Sequence, residues 1–319
     1  SSFWADTPRL AYRDMRNKIT HSRSANKAMN VIFAIPMKVH YDISNLPSFQ
    51  RAVLTIGTFD GVHHGHQQIL EAVINSAKEV NGESVLITFH PHPRKIVSSA
   101  ILGIRLITTM DERIQLLEKA GIDHLVIVPF TDAFANLSAT QYIEDFLLAS
   151  FHPHTIIIGH DHQFGRNRIG DYALLESYQQ KGNFLLKEIP KHLIENITIS
   201  STRIREHLSK SEIASANKLL GYDFFFHGTV VHGNKIGRTL GFPTANLRIE
   251  DAEKIIPGNG IYAVYAKPEG FAQPLKGMMS IGFRPTVDGK TRVIEVNIFD
   301  FDKEIYGEQL EVHVHQYLS

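Results

Sequence analysis

The hydrophobic positions between residues 53 and 159 fall into short continuous runs that alternate with amphipathic stretches. The continuous runs are Val53–Gly57, Ser84–Phe89, His124–Val128 and Thr155–Gly159, and helical spacing recurs at Gly65–Val80, Asp111–Ala120 and Ser138–Ser150. Continuous apolar strands are typical of a parallel sheet covered on both faces, and right-handed crossovers then favour a doubly wound arrangement. The pattern predicts an α/β domain with a doubly wound parallel sheet, whose ligands bind beyond the carboxyl ends of the strands.

After Leu220 the pattern changes to β-rich runs that Gly and Pro turns separate, without a long helical pattern between them. These runs are Phe225–Val231, Gly260–Lys267, Leu275–Ile281, Arg292–Phe301 and Leu310–Leu318. Their spacing predicts an antiparallel β-barrel of about six strands, preceded by a helical pair at Thr202–Leu219. We therefore expect two domains, at residues 37–220 and 221–319.

Composition excludes several classes of protein. The chain has 319 residues, enough for two cores, with 33 basic residues, 33 acidic residues and no cysteine. The balanced charge argues against nonspecific nucleic-acid binding, and the absence of cysteine excludes disulfides and thiolate zinc sites and suits a reducing compartment. No apolar run approaches the roughly 18 residues that a membrane span needs. We expect a cytoplasmic protein without nucleic-acid or membrane partners.

Residues 1–36 differ from the rest of the chain because they are rich in Arg and Lys and poor in acidic residues. Such a composition occurs in organelle transit peptides, which is one interpretation. The interpretation that we favour is a poorly ordered extension, or a remnant of added sequence, outside the two domains.

The sharpest motif runs from Gly57 to His66, where the first strand ends and a helix begins. A helix N-terminus carries unsatisfied N–H groups and a partial positive charge, and glycines let the backbone approach an anion closely, so this turn is suited to phosphate. His63 and His66 are three residues apart at the helix start, so they lie on one face and can both donate hydrogen bonds to a triphosphate. The predicted site consists of the catalytic pair His63 and His66 and of nucleotide contacts at Gly57, Phe59, Asp60, Gly61 and Gly65. A zinc site is the alternative, but the spacing lacks the pattern and carboxylate of HExxH.

A second motif, Ile199–Arg205, is predicted to start another helix, because Ser and Thr hydroxyls are good N-caps. Its hydroxyl and guanidinium groups could also bind phosphate oxygens. The predicted nucleotide contacts are Ser200, Ser201, Thr202 and Arg203, with Arg205 as a catalytic residue. Together the two motifs resemble the nucleotidyltransferase superfamily that combines HxGH with an ISSTxxR-like sequence and transfers AMP or CMP.

Two segments between these motifs narrow the resemblance. Phe89–Arg94 follows the second predicted strand and Gly159–Gly165 follows the fourth. They resemble the FxPHP and GxDFxFG segments of the bacterial bifunctional riboflavin kinase/FAD synthetases, although His162 and Gln163 stand where an aromatic residue and Arg are more usual. The resemblance implies flavin-binding residues at Pro91, His92, Pro93, Asp161, Phe164 and Gly165.

In the second domain, Thr244 and Asn246 flank one alanine after a proline. In an extended backbone their oxygen atoms lie on one side, as a hard divalent cation such as Mg²⁺ needs. The run Phe226–Leu247 resembles the riboflavin kinase signature with its PTAN motif. The resemblance implies that Thr244 and Asn246 are metal ligands and that Gly228, Gly233 and Arg238 contact the nucleotide.

Glu295 lies in an alternating strand, on the same face as Val293, and we expect this face to point into the barrel. A carboxylate there is costly unless it has a task or a partner. The resemblance implies that Glu295 is the general base for the ribityl hydroxyl, while an ion pair with Arg292 or Arg284 is the structural alternative. Ser280–Thr286 resembles an NIGxRPT turn, which implies a flavin contact at Arg284.

The resemblance implies an enzyme that phosphorylates riboflavin with ATP to give FMN and then transfers AMP from ATP to FMN, giving FAD and pyrophosphate. It also implies a C-terminal helix beyond Ser319, so we expect the kinase half to lack that helix. One alternative is an HxGH adenylyltransferase for another acceptor, such as nicotinate mononucleotide or phosphopantetheine. The other is a flavin-binding regulator without activity. The kinase-like domain argues against the first, and the complete set of predicted catalytic residues argues against the second.

Overall fold

The computed structural model describes residues 36–93, 105–159, 161–232, 244–286 and 289–319, without the side chains of residues 198, 199 and 284–290. By their contacts these residues form an α/β unit, within 36–93 and 110–201, and a barrel unit, within 105–109 and 202–319. Residues 202–220 thus belong to the barrel unit, whereas the predicted boundary groups them with the first domain. The boundary after Leu220 stays a prediction.

The α/β unit is built on a six-stranded sheet in the order β1-β4-β3-β2-β5-β6, and all neighbouring strands are parallel. The strands are β1 (Lys38–His40), β2 (Val53–Ile56), β3 (Ser84–His90), β4 (His124–Pro129), β5 (Thr155–Gly159) and β6 (Leu185–Ile189). The hydrophobic runs predict the four central strands but not β1 and β6. Both are edge strands: β1 has three residues, and β6 is largely exposed, so neither forms a continuous apolar run.

Helices cover both faces of this sheet. They are α1 (His64–Glu79), α2 (Met110–Ala120), α3 (Asp132–Ala135), α4 (Ala139–Gln141), α5 (Ala149–Phe151), α6 (Tyr172–Gln180) and α7 (Lys191–Ser209). A π-helical segment, Tyr142–Leu148, joins α4 to α5, so the helix predicted at Ser138–Ser150 is present with a wider turn in its middle. Residues from this stretch and α6 pack on one face, and residues from α1, α2 and the first half of α7 pack on the other. The doubly wound fold is confirmed.

The barrel is closed and antiparallel, in the strand order β10-β11-β8-β7-β12-β9. Its strands are β7 (Phe224–Val231), β8 (Ala245–Arg248), β9 (Gly260–Pro268), β10 (Leu275–Thr286), β11 (Gly289–Ile298) and β12 (Gln309–Tyr317). The interior is apolar, and the end of α7 together with α8 (Ile213–Leu220) packs into the same core. The predicted six-stranded barrel is therefore confirmed, with β8 as the strand that the hydrophobic runs did not predict.

The orientation predicted for Glu295 is wrong. Ile294, Val296 and Ile298 of β11 lie in the barrel core, so the intervening Glu295 and Asn297 lie on the outer face. Their exposed fractions are nevertheless only 5% and 3%. Because both faces of β11 are buried, alternation separates two faces but cannot show which one lines the interior.

A carboxylate on another part of the outer face is held between two histidines. Glu311 of β12 lies opposite His227 of β7, whose Nε2 is 3.3 Å from Oε2, and the Nε2 of His313 is 2.5 Å from Oε1. The hydrogen bond from His227, followed by that from His313, lowers the pKa of Glu311 well below its usual value.

The Glu311 contacts predict a pH-dependent contribution to stability. A folded-state pKa below that of the unfolded chain stabilises the fold above the ordinary value of 4.5, and this contribution is lost as the pH falls toward the folded-state pKa. We expect Glu311→Gln to lower the melting temperature near neutral pH, and the difference from the parent to shrink progressively below that value. Thermal unfolding across pH measures it, with the exposed Glu269→Gln as control. A deficit of equal size at acidic and neutral pH would show that the charge is not responsible.

Candidate active site

Three of the predicted site segments meet at one edge of the parallel sheet. Residues 57–63 follow β2, residues 91–93 follow β3, and residues 161–165 follow β5. Since β3, β2 and β5 are neighbours and parallel, their carboxyl ends lie side by side. The chain order reverses between β2 and β5, which is the topological switch point where doubly wound sheets bind ligands.

The two histidines of the first motif form a stacked pair. His63 precedes α1 as its N-cap residue, and His66 lies in the first turn. Their ring centroids are 3.9 Å apart with an interplanar angle of 22°, so the rings lie on one face as the spacing predicts. His63 is fully buried, while His66 keeps an exposed fraction of 7%. His66 is therefore the outer member of the pair.

A hydrogen bond joins the two nucleotidyltransferase motifs. The Nε2 atom of His63 is 2.9 Å from the Oγ atom of Ser201 on α7. This contact brings together residues 138 positions apart, which the sequence could suggest only through the family resemblance.

The prediction that Ser200–Thr202 begins a helix is wrong, because α7 starts at Lys191. The start is marked by Pro190, whose carbonyl accepts from the N–H groups of Leu193 and Ile194, and a proline at a helix start is a signal that the sequence contains. Ser200 and Ser201 are half-buried in mid-helix, and Thr202 and Arg203 are exposed. Nε of Arg205 donates to the carbonyl of Arg105 at 2.8 Å. The functional roles of these residues stay predictions.

Gly65 permits the close approach of α1 and α7. A Cβ atom there would lie 2.7 Å from Cγ1 of Ile197 and 3.4 Å from the His63 ring. No side chain fits at such a distance without displacing one of these neighbours. The glycine is therefore needed for packing as well as for any approach of the backbone to phosphate.

The loop between β2 and α1 has a strained backbone. Phe59, Gly61 and Val62 have φ angles of 47°, 83° and 38°, and a positive φ is rare for a β-branched residue such as Val62. Phe59 is 3% exposed, and its ring lies 5.0 Å from the His66 ring. A Cβ at Gly57 would be 2.9 Å from Cε2 of that phenylalanine. Phe59 thus supports the histidine pair from within the core.

Asp60 of the same loop is buried and lies 3.7 Å from the guanidinium of Arg113, measured from Oδ1 to Nη2. Arg113 belongs to α2, and sequence reasoning missed it because a lone Arg on an amphipathic helix is ordinarily a solvated residue.

The proposed flavin segments have mixed environments. Pro91, His92 and Pro93 are half-buried, and the His90–Pro91 bond is cis. Asp161 is exposed, whereas Phe164 is 5% exposed and stacks on Tyr142 with centroids 4.8 Å apart. The Phe164 ring is therefore part of the core beneath its loop.

The turn at Gly165 and the side chain of His162 complete this loop. Gly165 has a φ of 72°, and a Cβ there would be 2.8 Å from the backbone nitrogen of Ala139, so no larger residue fits. Desolvation lowers the pKa of His162 to about 4, against a smaller opposing effect of Asp161. The imidazole is consequently neutral near neutral pH.

The candidate residues of the barrel form a row on its outer face. Glu295 of β11 lies opposite Asn246 of β8 on one side and Ser280 of β10 on the other. Thr244 precedes Asn246 by two positions, which places both on the same side of an extended chain. The guanidinium of Arg292 donates to the carbonyl of Pro257 and to Oδ1 of Asn259. These contacts differ from the Glu295–Arg292 ion pair that the sequence offers as the structural alternative.

Four other predictions in the barrel have different outcomes. Gly228 lies in β7, where a Cβ would be 3.1 Å from Cδ1 of Ile249, so it permits tight packing. Arg284 lies in β10, but its side chain is outside the described residues, as are Gly233 and Arg238 altogether.

Within the described ranges, no cluster of three His, Cys, Asp or Glu residues could hold a metal ion, and no helix is long and apolar enough to cross a membrane.

A parallel-sheet unit with a histidine pair at its carboxyl edge, followed by a closed barrel with a polar row on its outer face, is the arrangement expected of a nucleotidyltransferase unit joined to a kinase barrel. Residues 46–203 match the family model described as FAD synthetase, and residues 220–319 match the one described as riboflavin kinase. The chain belongs to the bifunctional riboflavin kinase/FMN adenylyltransferase family.

Curated relatives carry the same description. The bifunctional riboflavin kinase/FMN adenylyltransferase of Listeria monocytogenes is 37% identical over 270 residues, which cover 83% of each chain. The protein of that description from Escherichia coli K12 is 34% identical over 272 residues, 85% of each chain. A crystal structure titled "Macrolide-efflux Protein" from Streptococcus pneumoniae is 29% identical, with a TM-score of 0.75 and coverage of 89% of this chain and 91% of that one. This last likeness supports the fold.

The contact at Gly65 predicts a defect that a second substitution repairs. Gly65→Ala should slow FAD formation from FMN, because the new methyl group displaces Ile197 or the His63 ring. Ile197→Ala removes the first of these clashes, so the double variant should recover a large part of the lost rate. Rates of FAD formation by the single and double variants measure this. If Gly65→Ala kept the parent rate, or if the double variant were no faster than the single one, the packing argument would fail.

Proposed function

We propose that the α/β unit adenylylates FMN and that the barrel phosphorylates riboflavin, so that the chain makes FAD from riboflavin in two ATP-dependent steps. The corresponding domains are residues 37–220 and 221–319. The observation that carries the first assignment is the His63–Ser201 hydrogen bond, which joins both nucleotidyltransferase motifs at the carboxyl edge of the sheet. The second assignment is supported by the row of Asn246, Glu295 and Ser280 on the outer face of the barrel.

In the adenylyl step, a phosphate oxygen of FMN attacks the α-phosphorus of ATP. The new bond joins FMN to AMP, and the bond between the α-phosphorus and the bridging oxygen breaks to release pyrophosphate. A phosphate is already a competent nucleophile, so no covalent enzyme intermediate is needed. The task of the protein is to align the reactants and to offset negative charge, and the N–H groups at the start of α1 serve this purpose. His66, the outer histidine, is the one that we expect to contact the triphosphate, with His63 stacked behind it.

In the kinase step, the 5′-hydroxyl of riboflavin attacks the γ-phosphorus of ATP and ADP leaves. Glu295 accepts the hydroxyl proton, because it is the carboxylate of the outer row and carboxylates serve as general bases in phosphoryl transfer. Arg284, which follows Ser280 in β10, remains our candidate for the flavin contact.

The residues of this row suit Mg²⁺. Asn246 offers an amide oxygen directly across the ladder from Glu295, and Thr244 offers a hydroxyl oxygen on the same side of the chain. Magnesium prefers oxygen ligands and is commonly bound through few protein groups together with substrate phosphates. We therefore assign Thr244 and Asn246 as the residues that would hold the ion, which would neutralise phosphate charge when bound.

The rival functions predict different products from one assay. Incubation with riboflavin, ATP and Mg²⁺, followed by chromatography, should yield FMN and then FAD. An adenylyltransferase for another acceptor would leave riboflavin unchanged, and an inactive flavin-binding regulator would form neither product. Omission of Mg²⁺ should abolish the formation of FMN.

Loss of the outer histidine should separate the two activities. We expect His66→Ala to abolish or strongly slow FAD formation from FMN, by about 10²–10³-fold for one stabilising contact, while riboflavin phosphorylation persists. His192→Ala is the matched control, because His192 is an exposed histidine in the first turn of another helix of the same unit, α7. Equal loss of both activities in folded His66→Ala, or normal FAD formation, would refute the assignment.

The complementary change is Glu295→Gln, which keeps the shape of the side chain and removes the base. We expect the variant to fold and bind riboflavin but to phosphorylate it about 10²–10⁴-fold more slowly, with FAD formation from supplied FMN intact. Glu250→Gln, at an exposed carboxylate just after β8, is the control. A Gln variant with normal turnover and a lowered melting temperature would indicate a structural role instead.

A further inference from the structure

Asp60 lies in the middle of the strained loop between β2 and α1, and its carboxylate faces Arg113 of α2. The carboxylate is 5% exposed and lies 3.7 Å from the guanidinium of Arg113, which is 3% exposed. Two buried charges at this distance attract strongly, and the loss of either one removes that attraction. Asp60 is therefore an anchor between this loop and α2.

The loop needs anchors because its backbone is unfavourable. The positive φ angles of Phe59 and Val62 are unfavourable, and such conformations persist only where the surroundings over-determine them. Phe59 is packed in the core, and Nε2 of Gln67 donates to the carbonyl of Val62 at 3.0 Å. The Asp60–Arg113 pair fixes the residue that lies between these two points.

What the loop carries makes its position important. It ends at His63, which holds Ser201 and stacks on His66, and it presents the first N–H groups of α1. A displacement of the loop moves all of these groups together, and misplacement of reacting groups by about 1 Å is enough to cost about 10²-fold in rate.

We propose that Arg113 is a positioning residue of the adenylyl site: by holding Asp60, it sets the loop that presents the histidine pair and the helix N-terminus to the triphosphate. This proposal deepens the proposed function of the α/β unit and rests on it. It also changes the role of Asp60 from a direct nucleotide contact to a contact with α2.

The test compares Asp60→Asn, Arg113→Met and the double variant in the full chain. Each single variant should lower kcat for FAD formation from FMN by about 10–100-fold and weaken ATP binding, while riboflavin phosphorylation by the same preparation is unchanged. The double variant should be no worse than the poorer single one, because each single variant already removes the contact between the two side chains. Arg113→Lys should recover part of the loss, since it restores the charge. Should a single variant fail to fold, the double variant and Arg113→Lys still test the pair.

The matched control is Glu83→Gln, which weakens a second partly buried contact of a carboxylate in the same unit. Glu83 lies 3.2 Å from Nε2 of His124, at the amino ends of β3 and β4 and hence at the opposite edge of the sheet. It should lower stability without changing kcat for FAD formation. An equal loss of kcat in this control would show a general effect of destabilisation and would overturn the proposal.

Three further results would also overturn it. The first is a kcat of folded Arg113→Met within about twofold of the parent, and the second is a double variant in which the effects of the two single variants add. The third is a change in ATP affinity in Asp60→Asn but not in Arg113→Met, which would indicate that Asp60 contacts the nucleotide directly. The proposed function has its own readout. If the parent made no FAD from FMN and ATP, that function would fail, while calorimetric titration with ATP would still show whether the pair holds the loop. Equal ATP affinity in parent and variants would then reject the pair as well.

Discussion

The proposed adenylyl site depends on the close contact between the start of α1 and the middle of α7. Gly65 leaves no room for a side chain against Ile197, and His63 reaches Ser201 across the same gap. One contact therefore does two things: it packs two helices on one face of the sheet, and it fixes the tilt of the histidine that closes the β2–α1 loop. Because the hydrogen bond is made by buried or half-buried groups, competition from water is weak and the orientation of the ring is well defined.

The candidate residues of the barrel are also positioned by regular secondary structure, but they lie on its outer face. Its interior is filled by apolar side chains from all six strands. The catalytic candidates instead lie on the outer face, where Asn246, Glu295 and Ser280 are brought into one row by strand register alone. A ladder fixes side chains on adjacent strands about 5 Å apart, so the spacing of this row is inherited from the sheet rather than from a flexible loop.

The sequence alone predicts the architecture because long elements with strong hydrophobic periodicity are compatible with few alternative folds. Continuous apolar runs predict the four central strands. The edge strands β1 and β6 are not predicted, because they are partly exposed and therefore lack a continuous apolar run. The start of α7 was missed since Ser200–Thr202 has the composition of a cap, yet Pro190 supplies the actual start. Glu295 was assigned to the wrong face because both faces of β11 are buried. Arg113 could not be found from a motif, since its importance comes from a partner 53 positions away that only the fold brings within 3.7 Å.

The strain in the loop at residues 59–62 bears on how the adenylyl site operates. If substrate binding created this conformation, the energy of the positive φ angles would be subtracted from the affinity for ATP. The loop instead holds the conformation through Phe59 in the core, Gln67 on the Val62 carbonyl and Asp60 beside Arg113, and none of these three contacts involves substrate. The energy of folding thus offsets the strain before any reactant arrives. Donors that are already oriented need no reorganisation when negative charge develops at the α-phosphorus, and this is the condition under which electrostatic stabilisation accelerates a reaction most. It follows that residues remote from the phosphates, such as those of α2, contribute to the rate through the position of the loop.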